Sequence, residues 1–370
     1  MIVATHEIDP DGDIILKLTH PNAPFAVWPK AQDEKVASNG QRDATDDPKA
    51  DGIHDVGETP EGGSEPASEV DFRLSSRHLI LASSYFKSML CGPWKEGKTN
   101  GSEPRVVTAE SWDQDALLIV MNVIHGRNKR VPREVDFETL AKIAVILDYY
   151  QCHEALEVFT DMWLRSLKHA APLPTAYGRD AVLWLHIAHV LSDDGTARAI
   201  TKMMQCELDQ PLFTLGLPIP ASVGDRLEAF RIQSVDYLLT QMHTELDCLA
   251  RQAWSTCSPE CDLMRLGALT SMLVLHNSLS RPTLPFHGKS VGKMISIIEE
   301  YHKQFLRSVE RSTPRLLPTH CNCRSCRPSG SFPNQNKCRH RQLSQAVIED
   351  RRGAMIGFGV QLDSEHEDEL

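Results

Sequence analysis

One stretch of the chain changes its hydrophobic period within a few residues, and this change constrains the fold more than any other sequence feature. Over residues 70–74, Phe72 and Leu74 alternate with polar neighbours, as in a half-buried strand. From that point apolar residues recur at three- and four-residue spacing, which predicts a helix capped by Ser75 or Ser76. The apolar face of this helix comprises Leu79, Ala82, Phe86 and Leu90. The predicted core therefore begins with a strand that leads directly into a helix.

The flanking sequence supplies the other elements of a small α+β domain. Residues 13–19 and 104–108 predict two further strands. Residues 113–125 and 137–150 each carry apolar side chains on one helical face, and a last helix is predicted from about Glu154. These elements would bury enough apolar surface for one compact domain.

Charged residues are distributed unevenly along the chain. The whole chain has 39 Lys and Arg against 50 Asp and Glu, a net charge of -11, which disfavours wholesale nucleic-acid binding. Residues 31–71 hold 12 acidic and 3 basic side chains, and residues 363–370 hold 5 acidic and none basic. Because the segment from about 30 to 68 has few aliphatic residues, it cannot offset its ordering entropy. We predict that it is a disordered acidic insertion between the first two predicted strands.

The order of these elements resembles the BTB/POZ domain, most closely that of BTB proteins from filamentous fungi. The resemblance covers roughly residues 12–165 and is strongest over residues 70–90. It also includes later positions, namely Tyr149, Tyr150, Cys152, Val158 and Trp163. The resemblance implies an α+β domain, a small sheet with helical hairpins. It also implies self-association or recruitment of other proteins, among them cullin-type ubiquitin ligase scaffolds.

Beyond residue 165 the sequence predicts a mostly α-helical region. Helices are predicted over 179–208, 221–253, 262–276 and 290–311, with breaks at Pro211, 218–220 and 282–288. We therefore divide the chain into a BTB/POZ-like domain (1–165), a helical region (166–310), a basic Cys/His-rich loop (311–342), and a short helix with an acidic tail (343–370).

Residues 92–99, Gly-Pro-Trp-Lys-Glu-Gly-Lys-Thr, formally match the phosphate-loop pattern. That loop should follow a strand and open a helix, whereas this segment follows a predicted helix and precedes a predicted strand. Pro93 also removes one backbone donor, and Trp94 is bulky where a tight loop is needed. The sequence therefore predicts no catalytic site, no nucleotide cofactor and no enzymatic activity.

The remaining chemical candidate is the Cys- and His-rich segment. Cys323 and Cys326 are close enough in sequence for both thiolates to reach one ion, and Cys338 with His340 could close a tetrahedral zinc site. The alternative ligands are His320, Cys321, Cys257 and Cys261. Residues 311–341 include 7 basic and no acidic side chains, so positive charge favours the thiolates. Structural zinc and free thiols both stay open, whereas the absence of a carboxylate disfavours a catalytic metal.

The resemblance implies a non-catalytic protein-interaction module that binds itself or recruits another protein, with a cullin-type scaffold as one expected partner and this chain as its substrate adaptor. The alternative is a transcriptional or chromatin regulator in which the BTB-like domain dimerises and a zinc-stabilised basic segment contacts nucleic acid. Phe332 is the one aromatic residue in that basic segment, and no recognition helix is evident, so nucleic-acid contact is disfavoured.

The hydropathy pattern bears on the compartment. No run approaches the ~18 apolar residues that a membrane span needs, and the N-terminal residues lack the cationic start and apolar run of a signal peptide. We therefore predict a cytoplasmic or nuclear protein without membrane contact. The 10 cysteines are then expected to be reduced thiols or metal ligands.

Overall fold

The computed structural model describes residues 4–29, 69–92, 104–251, 259–311, 339–355 and 357–358. The described residues belong to two compact units. The first unit runs to Pro172 and includes Leu215–Leu217, and the second takes in Leu173–Thr214 and the chain from Pro218 onward. The predicted acidic insertion at 30–68 lies outside the described residues.

A small mixed sheet organises the first unit. Its strands are β1 (Ala4–Glu7), β2 (Ile14–Thr19), β3 (Glu69–Leu74) and β4 (Arg105–Glu110), in the spatial order β1-β3-β2-β4. β2 pairs antiparallel with β3, whereas β1 pairs with β3 and β2 with β4 in parallel. The predictions of β2, β3 and β4 are confirmed, and β1 is a strand that the sequence analysis did not predict.

Side chains alternate between the two faces of the sheet. On β2, Ile14, Leu16 and Leu18 are fully buried and the residues between them are half-buried. Leu16 lies opposite Phe72 on β3 and Val107 on β4, and both partners are also buried. The period of two therefore gives the sheet one apolar face toward the core and one mixed face toward solvent.

Within the described ranges, five helices complete the first unit. They are α1 (Ser76–Ala82), α2 (Ser84–Cys91), α3 (Gln114–Ile124), α4 (Phe137–Tyr150) and α5 (His153–Ala170). The single helix predicted after β3 is in fact two helices. Ser83 has extended backbone angles, φ -143° and ψ 122°, and its hydroxyl accepts a hydrogen bond from the Phe86 N–H at 3.0 Å. The break occurs because Ser83 caps a new helix instead of continuing the old one.

The predicted cap of α1 is also corrected. Ser75 occupies the N-cap position, but its side chain makes no capping bond. The Ser75 N–H donates to Nε2 of His125 at 3.0 Å, and the Ser76 N–H donates to the Asp13 carboxylate at 2.8 Å. The free N–H groups at the start of α1 are therefore satisfied by residues distant in sequence rather than by a local serine hydroxyl.

The second unit is helical. The helices that the structure describes there are α6 (Arg179–Val190), α7 (Asp194–Glu207), α8 (Ala221–Ala250), α9 (Pro259–Leu275), α10 (Val291–Arg311) and α11 (Arg339–Ala354). The helix predicted over 179–208 is divided at residues 191–193, where Ser192 adopts a positive φ of 54°. Asp193 then caps α7, because its carboxylate accepts from both the N–H and the hydroxyl of Thr196.

A buried arginine ties the loop before α10 to α8. Arg231 is 1% exposed and makes a two-pronged ion pair with Glu228. Its guanidinium also donates to the backbone carbonyls of Pro285, Phe286 and Lys289. Because every donor direction has an acceptor, this buried charge is compensated and holds the loop in one position.

No helix among the described residues combines the length and the apolar composition that would let it cross a lipid bilayer.

Candidate functional site

The predicted zinc ligands are mostly beyond the part of the chain that the structure describes. Six of the eight candidate ligands lie outside the described residues, namely Cys323, Cys326, Cys338, His320, Cys321 and Cys257. Cys261 lies within α9 and His340 within α11. Among the described residues, no group of three or more His, Cys, Asp or Glu side chains is placed to hold a metal ion. The zinc site stays a prediction.

The segment that matches the phosphate-loop pattern lies between α2 and β4. Gly92 directly follows α2, and Arg105 begins β4. Residues 93–99 are outside the described ranges. The order of helix before and strand after is the reverse of the strand-to-helix order that a phosphate loop needs.

Five aromatic side chains gather on the first unit where α2, α4 and the residues before α3 approach one another. We define the aromatic surface as Tyr85, Trp112 and Tyr149, which rest on Phe86 and Tyr150. Tyr149 is 49% exposed, Tyr85 and Trp112 are half-buried, and the two supporting rings are buried. Consecutive helical residues point roughly 100° apart, so the end of α4 turns Tyr149 to solvent and Tyr150 to the core.

The rings fix one another by close contact. The ring centroid of Tyr149 lies 5.1 Å from that of Tyr85, 5.2 Å from that of Trp112 and 5.0 Å from that of Tyr150. The Tyr149 and Tyr150 planes meet at 89°, an edge-to-face arrangement, while Phe86 stacks on Tyr150 at 4.7 Å. These separations lie in the range where aromatic pairs attract beyond simple burial.

Hydrogen bonds hold the polar ends of the rings. The hydroxyl oxygens of Tyr85 and Tyr149 are 3.1 Å apart, and Nε1 of Trp112 donates to the Tyr150 hydroxyl at 3.2 Å. The Ser83 hydroxyl donates to the backbone carbonyl of Tyr150 at 2.5 Å, which joins the start of α2 to the end of α4. Burial raises the pKa of Tyr150 well above its usual value, so this phenol stays neutral. The exposed rings are therefore preorganised.

An ion pair lies beside Trp112. Nζ of Lys142 is 2.8 Å from the carboxylate of Asp113 and 3.8 Å from that of Glu138. The Asp113 carboxylate also accepts the Ala116 N–H at 2.9 Å and so caps α3. Burial alone would raise the pKa of Asp113, but the hydrogen bonds from Lys142 and from the Ala116 N–H lower this pKa below its usual value. The Lys142–Asp113 ion pair beside the aromatic surface is thus held in one position.

The chemistry of the aromatic surface suits association rather than proton or group transfer. Its exposed groups are two phenols and an indole, each with an apolar ring and a polar end. Such side chains supply large contact areas with few rotatable bonds, and they carry much of the binding energy in protein interfaces. The nearby Cys152 thiol is buried, which raises its pKa to about 12 and keeps it protonated.

The aromatic surface was not predicted from the sequence. Tyr149 and Tyr150 are part of the family resemblance, whereas no sequence pattern includes Trp112. The available signal was the consecutive aromatic pair at the end of a predicted helix. Nothing local connected that pair to Tyr85, which is 64 residues from Tyr149, or to Trp112, which is 38 residues from Tyr150.

No protein-family model matches the chain, and no curated protein matches its sequence.

Proposed function

We propose that this chain is a non-catalytic protein-interaction protein whose first unit is a BTB/POZ-like domain that recruits a partner through the aromatic surface. The observation that carries the proposal is the exposure of Tyr149 among rings that are already held in place. The family assignment is supported by the resemblance of residues 12–165 and by the order of strand, helix pair, strand and three helices within them.

Preorganisation is the physical reason to expect binding here. A side chain that must be ordered on binding loses about 0.5–1.5 kcal/mol of its contribution. The Tyr149 ring contacts three other rings and its hydroxyl is hydrogen-bonded, so most of this ordering has occurred on folding. Burial of the exposed half of the Tyr149 ring under a partner would therefore contribute nearly its full hydrophobic free energy to binding.

The proposed partner is a cullin-type ubiquitin ligase scaffold, with this chain as a substrate adaptor. The identity of this partner derives from the family resemblance, and the aromatic surface supplies the contact. The proposal requires a cytoplasmic or nuclear protein.

A quantitative mass-spectrometric pull-down from native-host lysate tests the proposal. The wild-type chain and Tyr149→Ala would be compared, with Leu81→Ala as the matched control. Leu81 is 88% exposed on α1, so its truncation also removes exposed apolar surface from the first unit. We expect the wild type and Leu81→Ala to enrich a cullin, and Tyr149→Ala to lose at least about tenfold of that enrichment.

Either of two results would contradict the proposal. Equal cullin recovery by the wild type and Tyr149→Ala would remove the aromatic surface from the interface. Failure of the wild type to enrich any cullin would reject the adaptor role. If chromatin proteins were recovered instead, with salt-sensitive binding of the chain to duplex DNA, the regulator alternative would be favoured. Circular dichroism of each variant would establish that the substitutions leave the fold intact.

A further inference from the structure

The connection between α3 and α4 concentrates positive charge on the first unit. Residues 126–134 hold four cationic side chains and one carboxylate, Glu134, in a chain whose net charge is -11. We call these residues the arginine loop. Its four cations are all exposed, namely Arg127, Lys129, Arg130 and Arg133.

The cations of the arginine loop have no counter-charge within the described ranges. No carboxylate there lies at ion-pair distance from any of the four. Basic side chains elsewhere on the first unit are paired, among them Lys17 with Glu69, Arg105 with Asp13 and Lys142 with Asp113. Two carboxylates near the loop have other partners: Glu7 lies 3.9 Å from Arg73, and Asp136 accepts the N–H and the hydroxyl of Thr139. A bound anion would supply the missing counter-charge.

The backbone of the arginine loop is held in one conformation. The Arg130 N–H donates to the Arg127 carbonyl at 2.8 Å, which closes a turn. Val131 is buried, and the Pro132 carbonyl accepts Nε1 of the buried Trp163 at 3.0 Å. The charged side chains therefore extend from a fixed backbone, which reduces the entropy lost when a partner binds.

Two guanidinium groups of the loop are also positioned. Nε of Arg127 donates to the Ile8 carbonyl at 2.9 Å, and Nη1 of Arg130 donates to the Glu7 carbonyl at 3.3 Å. Because Glu7 and Ile8 are consecutive residues, the two guanidiniums lie near each other. Arg127 keeps its Nη1 and Nη2 donors for a ligand, and Arg130 keeps Nε and Nη2. Such a pair of N–H groups binds a carboxylate or a phosphoryl group through two parallel hydrogen bonds.

We propose that the arginine loop binds a short acidic segment of another protein, with its carboxylates or phosphoryl groups held by Arg127 and Arg130. A long polyanion such as duplex DNA would be repelled by a chain of net charge -11, whereas a short segment meets chiefly the local positive charge. The bases of a single-stranded nucleic acid need aromatic rings on which to stack, and residues 126–134 contain none.

The arginine loop and the aromatic surface lie at opposite ends of α3. Trp112 precedes this helix and Arg127 follows it, and the 11 helical residues between them span about 16 Å. The two surfaces share no residue. Binding at the arginine loop therefore does not depend on the recruitment proposed above.

Fluorescence anisotropy of the full chain with a labelled peptide of alternating Glu and Gly tests the proposal. We expect this peptide to bind, and to bind more weakly as the salt concentration rises. Lys129→Glu should weaken binding at least about tenfold, because it reverses one charge of the loop. Lys87→Glu is the matched control, since Lys87 is an exposed residue of α2 and the same change there should leave the affinity unaltered.

Two further peptides define the chemistry of the ligand. A peptide of alternating Gln and Gly has the same length without the charge, and we expect it not to bind. A peptide with phosphoserine in place of Glu carries phosphoryl groups, and the tighter of the two anionic peptides identifies the preferred anion.

Zero-length cross-linking locates the contact. A carbodiimide joins the carboxylates of the Glu peptide to lysine amines, and mass spectrometry should find Lys129 among the linked residues. The variant Lys129→Arg keeps the positive charge and should bind the peptide as the wild type does, while the cross-link at residue 129 is lost.

Four results would overturn the inference. They are the absence of binding by both anionic peptides, equal binding of the Gln peptide, equal affinity of the wild type and Lys129→Glu, and duplex DNA that binds the loop more tightly than either peptide. The last result would assign the arginine loop to nucleic acid. Tyr149→Ala should leave peptide binding unchanged, which separates this test from that of recruitment.

Discussion

A buried histidine in the second unit should make the stability of that unit depend on pH. His186 on α6 is fully buried, and neither ring nitrogen has a hydrogen-bond partner among the described residues. Burial, with a smaller contribution from nearby His189, lowers the pKa of His186 from 6.5 to about 4. The folded protein therefore holds a neutral imidazole at neutral pH. Replacing it by leucine, His186→Leu, keeps a similar volume and removes the group that titrates.

The magnitude follows from the difference between the two pKa values. The unfolded chain binds the proton more tightly, so the free energy of unfolding is highest above pH 6.5 and falls as the pH is lowered from 6.5 toward 4. The complete loss would be about 3 kcal/mol, at about 1.4 kcal/mol for each pKa unit. Between pH 7.5 and 5.0 the loss is ~2 kcal/mol.

Urea denaturation at several pH values measures this loss. At pH 7.5, His186→Leu should be more stable than the wild type by about 1 kcal/mol, because an unpaired buried polar group has been removed. At pH 5.0 the difference should grow to about 3 kcal/mol. His287→Leu is the matched control in the same unit, where the histidine is exposed. Its pH profile should run parallel to that of the wild type.

Parallel pH profiles for the wild type and His186→Leu would refute the reasoning. The two proteins would then lose the same free energy between pH 7.5 and 5.0, and the imidazole could not be buried without partners. A destabilised His186→Leu that nevertheless lost the pH dependence would refute only the packing argument, because leucine would then fit poorly in the space left by the ring.

Three further substitutions or titrations test other parts of the structure. Arg231→Met should lower the free energy of unfolding, measured in urea, by about 3 kcal/mol or more, because it leaves buried acceptors unpaired. The control Arg281→Met breaks an exposed ion pair and should change the free energy of unfolding by about 0.5 kcal/mol. Gly12→Ala should lower the free energy of unfolding by roughly 2 kcal/mol in thermal denaturation, since the added Cβ would lie 2.5 Å from the backbone carbonyl oxygen of Leu74. The control Gly178→Ala should have little effect, because no atom lies within 4 Å of a Cβ there. NMR of the His125 ring should find the proton on Nδ1 at pH 7, because Nδ1 lies 2.8 Å from the Met121 carbonyl and Nε2 accepts the Ser75 N–H. The titration midpoint should lie below 6.5, because burial lowers the pKa of His125. The stability that the neutral ring contributes is therefore lost as the pH falls.

Much of the first unit could be predicted from local patterns. The helix predicted over 113–125 is Gln114–Ile124, and that predicted over 137–150 is Phe137–Tyr150. The strand predicted over 13–19 is Ile14–Thr19. These predictions succeeded because a period of two or 3.6 depends only on neighbouring residues, each of which either enters the core or faces solvent.

Predictions failed where a local pattern allowed two outcomes. An apolar helical spacing continues through Ser83 and through residues 191–193, yet the chain ends a helix at both places. At each break a Ser or Asp side chain accepts the N–H groups of a new helix. Capping competes with continuation, and packing against the rest of the unit decides which prevails.

The sequence by itself determined the alternation of the strands, the apolar faces of the helices and the excess of acidic residues in two segments. Only the tertiary structure decided which distant groups meet. Asp13 and His125 satisfy the start of α1, and β4 lies at one end of the strand order β1-β3-β2-β4. The aromatic surface assembles Tyr85, Trp112 and Tyr149 from three separate segments. The physical reason is that periodicity is a property of neighbours along the chain, whereas a binding surface depends on packing that brings remote segments together.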